Sequence, residues 1–153
     1  DIELTRMQIT LRTAVPEDYE FSLEAKRQAL GPHIAVRWGW NEDFQDEMHR
    51  KRWSERPWSI IQNEEQSIGT LSVEKKEDHI RFGEFYLLPE YQRQGIGSRV
   101  LRLVLDKADT LRLPVRLEYL KWNPVASLYL RNGFEVVSQN DIHFFLTREP
   151  NAS

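Results

Sequence analysis

Polar and apolar residues alternate from Met7 to Thr13, with Met7, Ile9 and Leu11 on one face and Gln8, Thr10 and Arg12 on the other. That period of two predicts a half-buried strand. Pro16 then opens a helix from a favoured first-turn position, with Glu17 and Asp18 at the positive end of its dipole. Tyr19, Leu23 and Leu30 recur near helical spacing, and Gly31-Pro32 is expected to stop the run. After the tryptophan-rich stretch Val36-Arg37-Trp38-Gly39-Trp40, Asn41 caps a second predicted helix reaching about Glu55, with Phe44 and Met48 on its apolar face. Beyond Pro57 the period returns to two. Strands are predicted over Trp58 to Gln62, Ser67 to Glu74 and His79 to Leu88, joined by short polar turns that suit an antiparallel meander.

From Gly97 to Leu111 the pattern is helical again, with a broad stripe of Val100, Leu101, Val104, Leu105, Ala108 and Leu111. A strand over Val115 to Leu120 follows. Asn123 is read as the cap of a short helix with Pro124 at its first position and Gly133 at its end. Two last strands cover Phe134 to Ser138 and Ile142 to Arg148. The order β-α-α-β-β-β-α-β-α-β-β predicts an α/β fold, one central mixed sheet with four helices on its faces, in a single domain over residues 1–153.

Composition narrows the chemistry. Twenty-one Lys and Arg stand against 24 Asp and Glu, a net charge of −3, which argues against a nucleic-acid-gripping protein. The chain has no cysteine, which excludes disulfides, thiolate metal sites and a cysteine nucleophile. His33, His49, His79 and His143 show no ligand spacing, so no metal is expected. No apolar run approaches the ~20 residues of a membrane helix, and Asp1-Ile2-Glu3-Leu4 does not read as a secretion signal, so a cytoplasmic location is expected.

The segment Leu87-Leu88-Pro89-Glu90-Tyr91-Gln92-Arg93-Gln94-Gly95-Ile96-Gly97-Ser98 leads from a strand, through two glycines, into a long helix. Backbone N–H groups at a helix start lack partners inside the helix and, with its dipole, attract anions. Gly95 and Gly97 let the backbone approach a bulky anion, and Arg93 and Arg99 flank it. A phosphate or pyrophosphate is the expected guest. No Lys-Ser/Thr follows the glycines, so this is not a nucleotide P-loop; Val100 stands where the dinucleotide fingerprint needs a third small residue.

About thirty residues downstream lies Asn123-Pro124-Val125-Ala126-Ser127-Leu128-Tyr129-Leu130-Arg131-Asn132-Gly133-Phe134. Together the two segments resemble the GNAT superfamily, the acetyl-CoA-dependent N-acetyltransferases. The first is similar to that family's Gln/Arg-x-x-Gly-x-Gly/Ala pyrophosphate loop, and the second to its Asn-Pro-…-Leu-Tyr-…-Gly-Phe signature. The order of elements is similar as well, so the resemblance covers nearly the whole chain and says least over residues 31–58.

The resemblance implies acetyl-CoA as cofactor, held by Leu87, Leu88, Gln92, Arg93, Gln94, Gly95, Ile96, Gly97, Ser98, Arg99, Asn123, Ala126 and Tyr129. It implies direct attack of a small-molecule or peptide amine on the thioester, with Tyr129 as proton donor to the departing thiolate and a backbone N–H near Leu87 as oxyanion donor. The general base is left open between Glu84 and Glu118, each a strand carboxylate that a half-buried setting could tune. Tyr86 and Tyr119 are placed to line a pocket. Trp38 and Trp40, with Glu42, Asp43, Asp46 and Glu47 nearby, would make an aromatic and acidic wall suited to a cationic or aromatic amine. Dimers are common in the family, and the strands over 134–148 are the expected contact elements of a homodimer. Two other readings stand beside the enzyme: a non-catalytic acyl-CoA-binding or regulatory module, and a nucleotide-dependent transferase, which the missing Lys-Ser/Thr disfavours.

Overall fold

The computed structural model describes residues 8–151, apart from the side chains of Arg37 and Trp38. Seven strands, β1 Ile9–Thr13, β2 Ser59–Asn63, β3 Gln66–Lys75, β4 Ile80–Leu87, β5 Val115–Leu120, β6 Glu135–Gln139 and β7 His143–Arg148, form one mixed sheet in the order β1-β2-β3-β4-β5-β7-β6. Four α-helices accompany it: α1 Tyr19–Trp38, α2 Glu42–Glu55, α3 Ile96–Leu111 and α4 Ala126–Leu130. The chain divides into two compact units. One holds the described residues through Ser72 together with Glu84–Gln94, and the other Val73–Gly83 and the described residues from Gly95 onward.

In the first unit β1 pairs antiparallel with β2, and β2 with β3. Ile9 is buried but Leu11 is 37% exposed, so β1 presents less of an apolar face than its alternation predicts. β1 stands at an end of the strand order, where a strand has one neighbour fewer. Met7 lies outside the described residues. Ile60, Ile61, Ile68 and Leu71 are fully buried or nearly so, each contributing roughly 1.5–3 kcal/mol of apolar burial. Gly69 is required by close packing: a Cβ there would collide with the Tyr86 carbonyl oxygen.

The first helix corrects the sequence reading. A 3-10 turn at Pro16–Asp18 precedes α1, which runs through Gly31-Pro32 to Trp38. A proline costs one helical hydrogen bond, but it does not force a stop when the turns on both sides are held. The terminator is Gly39, at φ 79, whose N–H returns to the Ala35 carbonyl. Asn41 caps α2 as expected, its Oδ1 accepting from the Phe44 N–H at 2.9 Å. The buried face of α2 is not Phe44 and Met48, however. Phe44 is 54% exposed, and Gln45 and His49 are the buried pair. A polar residue on a packed face is invisible to a hydrophobicity pattern.

In the second unit α3 buries Ile96, Val100, Leu101, Val104, Leu105 and Ala108, close to the predicted stripe, while Leu111 is partly exposed. β5 pairs antiparallel with β7 over six positions, and β7 with β6. The ladder between β4 and β5 is parallel and two pairs long, Ile80↔Val115 and Arg81↔Arg116. Arg148, itself buried, joins β7 to α3 through a two-pronged pair with Asp109 at 2.6 and 3.1 Å. That pairing holds the Asp109 carboxyl below its usual range.

Candidate active site

The two halves of the predicted site fall in different units. In the second, Gly95 takes φ 82 as the N-cap of α3, a left-handed conformation that glycine adopts without strain. No side chain among the described residues caps that helix, so its first N–H groups have no side-chain acceptor. The first helical bond runs from the Arg99 N–H to the Gly95 carbonyl at 3.1 Å. Ser98, in the first turn, receives a weak 3.4 Å contact from Arg131. Before this helix, Gln92, Arg93 and Gln94 are exposed, and Arg93 also has positive φ at 62. Gln92 donates to the Leu87 carbonyl at 2.9 Å and Gln94 to the Glu90 carbonyl at 2.6 Å, so both amides brace the loop. An uncapped helix start behind a left-handed glycine fits the pyrophosphate of a coenzyme A molecule.

Tyr129, on α4, is 6% exposed and sits in an aromatic cluster. Ring centroids lie 5.7 Å away at Phe134, 5.8 Å at Tyr119 and 6.2 Å at Phe82. Its hydroxyl has no hydrogen-bond partner among the described residues. Burial, with the neighbouring Tyr119, pushes the phenol well above its usual pKa. It therefore stays protonated and can donate. Asn123 does not cap α4. The cap position is Val125, without a side-chain bond, and the backbone turns through Asn123 N–H to Leu120 carbonyl at 2.9 Å. The reason is local: after β5 the chain makes a tight turn, and the helix starts two residues later than the Asn-Pro pair suggests. Ala126 is the first residue of α4. Glu118 is exposed on β5, on the opposite face from the buried Leu117 and Tyr119, and His143 Nδ1 lies 3.9 Å from its carboxylate.

In the first unit Glu84 has φ 50, an unusual conformation for a residue with a side chain, and one that breaks the regular pleat of β4. The buried Thr70 hydroxyl holds it there by donating to the Glu84 carbonyl at 2.8 Å. Its side chain is 3% exposed. Arg56 meets Oε1 at 2.6 Å, Arg52 approaches it at 3.7 Å, and the Tyr86 hydroxyl lies 3.4 Å from Oε2. Leu88 donates its N–H to Ile68 at 3.0 Å and accepts from Tyr91 at 2.9 Å. The Leu88 N–H points to β3, so by alternation the Leu87 N–H points to the other side of the strand.

Lys26 and the Ser22–His49 pair escaped the pattern reading. Lys26 is buried on α1 at 4% exposure, and burial pulls its pKa down against the pull of Glu84. Ser22, Tyr19 and Trp58 surround the fully buried imidazole of His49. Ser22 donates to the Tyr19 carbonyl at 2.6 Å, so its oxygen accepts from His49 Nε2–H at 2.7 Å, which leaves Nδ1 bare and unpartnered. Desolvation, with Lys26 nearby, lowers His49 to about 4. Lys26 did leave a sequence signal, a charge on the same helical stripe as Leu23 and Leu30. Of the predicted aromatic wall, Trp40 is half-buried and donates to Glu42 at 3.0 Å; the Trp38 side chain lies outside the described residues. Trp53 and Trp58 are packing residues around Tyr19 and His49.

These features define an acetyltransferase of the GNAT type. The sequence profile of the Acetyltransferase (GNAT) domain matches residues 54–136, and the chain belongs to that family. Comparison with curated protein sequences gave no match. Among solved structures, the chain is similar to the PaiA N-acetyltransferase of Thermoplasma acidophilum in complex with coenzyme A, with TM-score 0.76 and 21% identity over 94% of this chain and 99% of that one. It is similar to the ribosomal-protein-S18-alanine N-acetyltransferase of Escherichia coli, with TM-score 0.70 and 16% identity over 95% and 96%. An acetyltransferase of Thermus thermophilus gives TM-score 0.71 and 13% identity over 92% and 96%. At these identities the likeness is one of fold. No helix among the described residues is long and apolar enough to cross a membrane.

Proposed function

We propose that the chain, acting as one catalytic domain, transfers the acetyl group of acetyl-CoA to an amine by direct attack. The observation that carries this reading is the uncapped start of α3 behind a left-handed Gly95, at the position of the Gln92–Gly97 motif. The N–H groups of Ile96, Gly97 and Ser98 would receive the pyrophosphate, with Arg93 and Arg99 adding charge. The outward Leu87 N–H would stabilise the oxyanion as the amine nitrogen bonds to the carbonyl carbon.

When the C–S bond breaks, the electron pair goes to sulfur, and the unpartnered Tyr129 hydroxyl is the donor we assign to it. Full proton transfer from so weak an acid to a thiolate of reference pKa ~8.5 is uphill, so its main contribution is a hydrogen bond to the developing charge. The amine proton leaves to a base. Glu84, buried in β4, is the candidate supported by position; Glu118, on the solvent face of β5, is the weaker one.

Calorimetric titration with acetyl-CoA, CoA and ATP tests the reading. Micromolar binding of the first two and none of ATP supports it; absence of CoA binding removes it.

A further inference from the structure

The buried face of α1 carries a lysine that the fold does not neutralise. Lys26 is 4% exposed, and its ammonium makes neither a hydrogen bond nor an ion pair within 4.0 Å among the described residues. Removing an ammonium from water costs several kcal/mol unless an opposite charge meets it closely. The carboxylate within electrostatic reach is Glu84, and its Oε1 is already held by Arg56 at 2.6 Å, with Arg52 at 3.7 Å. Lys26, Arg52 and Arg56 thus share one carboxylate. The arginines are placed to accept more. Arg52 lies in the last turn of α2 and Arg56 is its C-cap, so both stand at one end of that helix. Their side chains are 35% and 31% exposed, and Arg56 spends one of its five donors on Glu84. A guanidinium with free donors beside a lysine ammonium matches a planar carboxylate.

We propose that Lys26, Arg52 and Arg56 recognise a carboxylate carried by the acceptor, so that the substrate is an amino acid-like amine rather than a cationic or purely aromatic one. The inference rests on the acetyltransferase reading above. The positive charge of Arg52 and Arg56 would also disfavour protonation of an amine bound beside them, easing the step a base must perform.

The test has two readouts. Melting temperature at saturating CoA is measured with N-acetylglycine, N-acetylalanine and N-acetylphenylalanine, each against its neutral amide. Thiol release from acetyl-CoA is then measured with the corresponding amino acids and amino acid amides. The acids should stabilise more than the amides, and Lys26→Met should raise KM for amino acids by about tenfold or more, while amides change little. Lys26→Arg should restore part of the preference. If Lys26→Met does not fold, Arg56→Gln should weaken the same preference. Acids and amides behaving alike, or Lys26→Met weakening both equally, overturns the proposal. So does a preference for O-phosphoethanolamine over every amino acid. Loss of CoA binding alone would remove the acetyltransferase reading, and the acid-over-amide stabilisation would still be read without CoA.

Discussion

Glu84 and Tyr129 are both buried and both proton-transfer candidates, yet the protein treats their burial in opposite ways. Around Glu84 charge is answered with charge: two arginines, a lysine, and a backbone held at positive φ by Thr70. Around Tyr129 there are rings, and a hydroxyl with no partner among the described residues. A charge already paired inside the fold serves structure as well as any chemistry. A hydroxyl without a side-chain or backbone partner adds little to the fold and stays free to bond a ligand. Function and stability should therefore separate at the two residues.

The largest effect is expected at the helix start on the Tyr129 side. Gly97→Trp should weaken CoA binding by about three orders of magnitude, because the side chain fills the anion site at the first turn. Calorimetry on the folded variant reads it, and unchanged affinity would remove the assignment. Next, Glu84→Gln should cost about 2–4 kcal/mol in denaturant unfolding, since it strips Arg56, Arg52 and Lys26 of their shared counter-charge. A loss under ~0.5 kcal/mol would mean that water screens the cluster.

Tyr129→Phe should do the reverse. Its stability should stay within about 0.5 kcal/mol of the parent, or rise, while turnover falls roughly 10- to 100-fold at little cost in CoA affinity. Equal turnover would break the contrast.

The smallest effect is a slope. His49 sits near 4 when folded and near its usual 6.5 when unfolded, so between those values the unfolded chain binds the extra proton. Stability should fall as pH drops from about 6.5 towards 4 and be fully present above that window. Chemical unfolding at stepped pH should show the slope, and His49→Gln should flatten it.

Much of this molecule was legible as a string. The positions of β1 to β5, the stripe of α3 and the Gly95–Gly97 loop follow from period and from residue types with narrow conformational uses. Their physics is local, so spacing carries it. The motif at Asn123 was legible as a signature but not as a cap, because whether an asparagine caps depends on where the turn after β5 lets the helix begin.

Other features depend on residues far apart in the chain. Pro32 remains within a helix that ends at Gly39, the packed face of α2 is Gln45 and His49, and Glu84 is held at φ 50 by Thr70. Each is a local rule overruled by a neighbour that the pattern cannot see. The sequence by itself determined the family, the order of elements and the glycine loop before α3, since these rest on backbone conformation over short spans. Only the tertiary structure decided that Lys26, Arg52 and Arg56 gather at one buried carboxylate. Charge burial is settled by partners brought from distant positions, and no spacing along the chain records them.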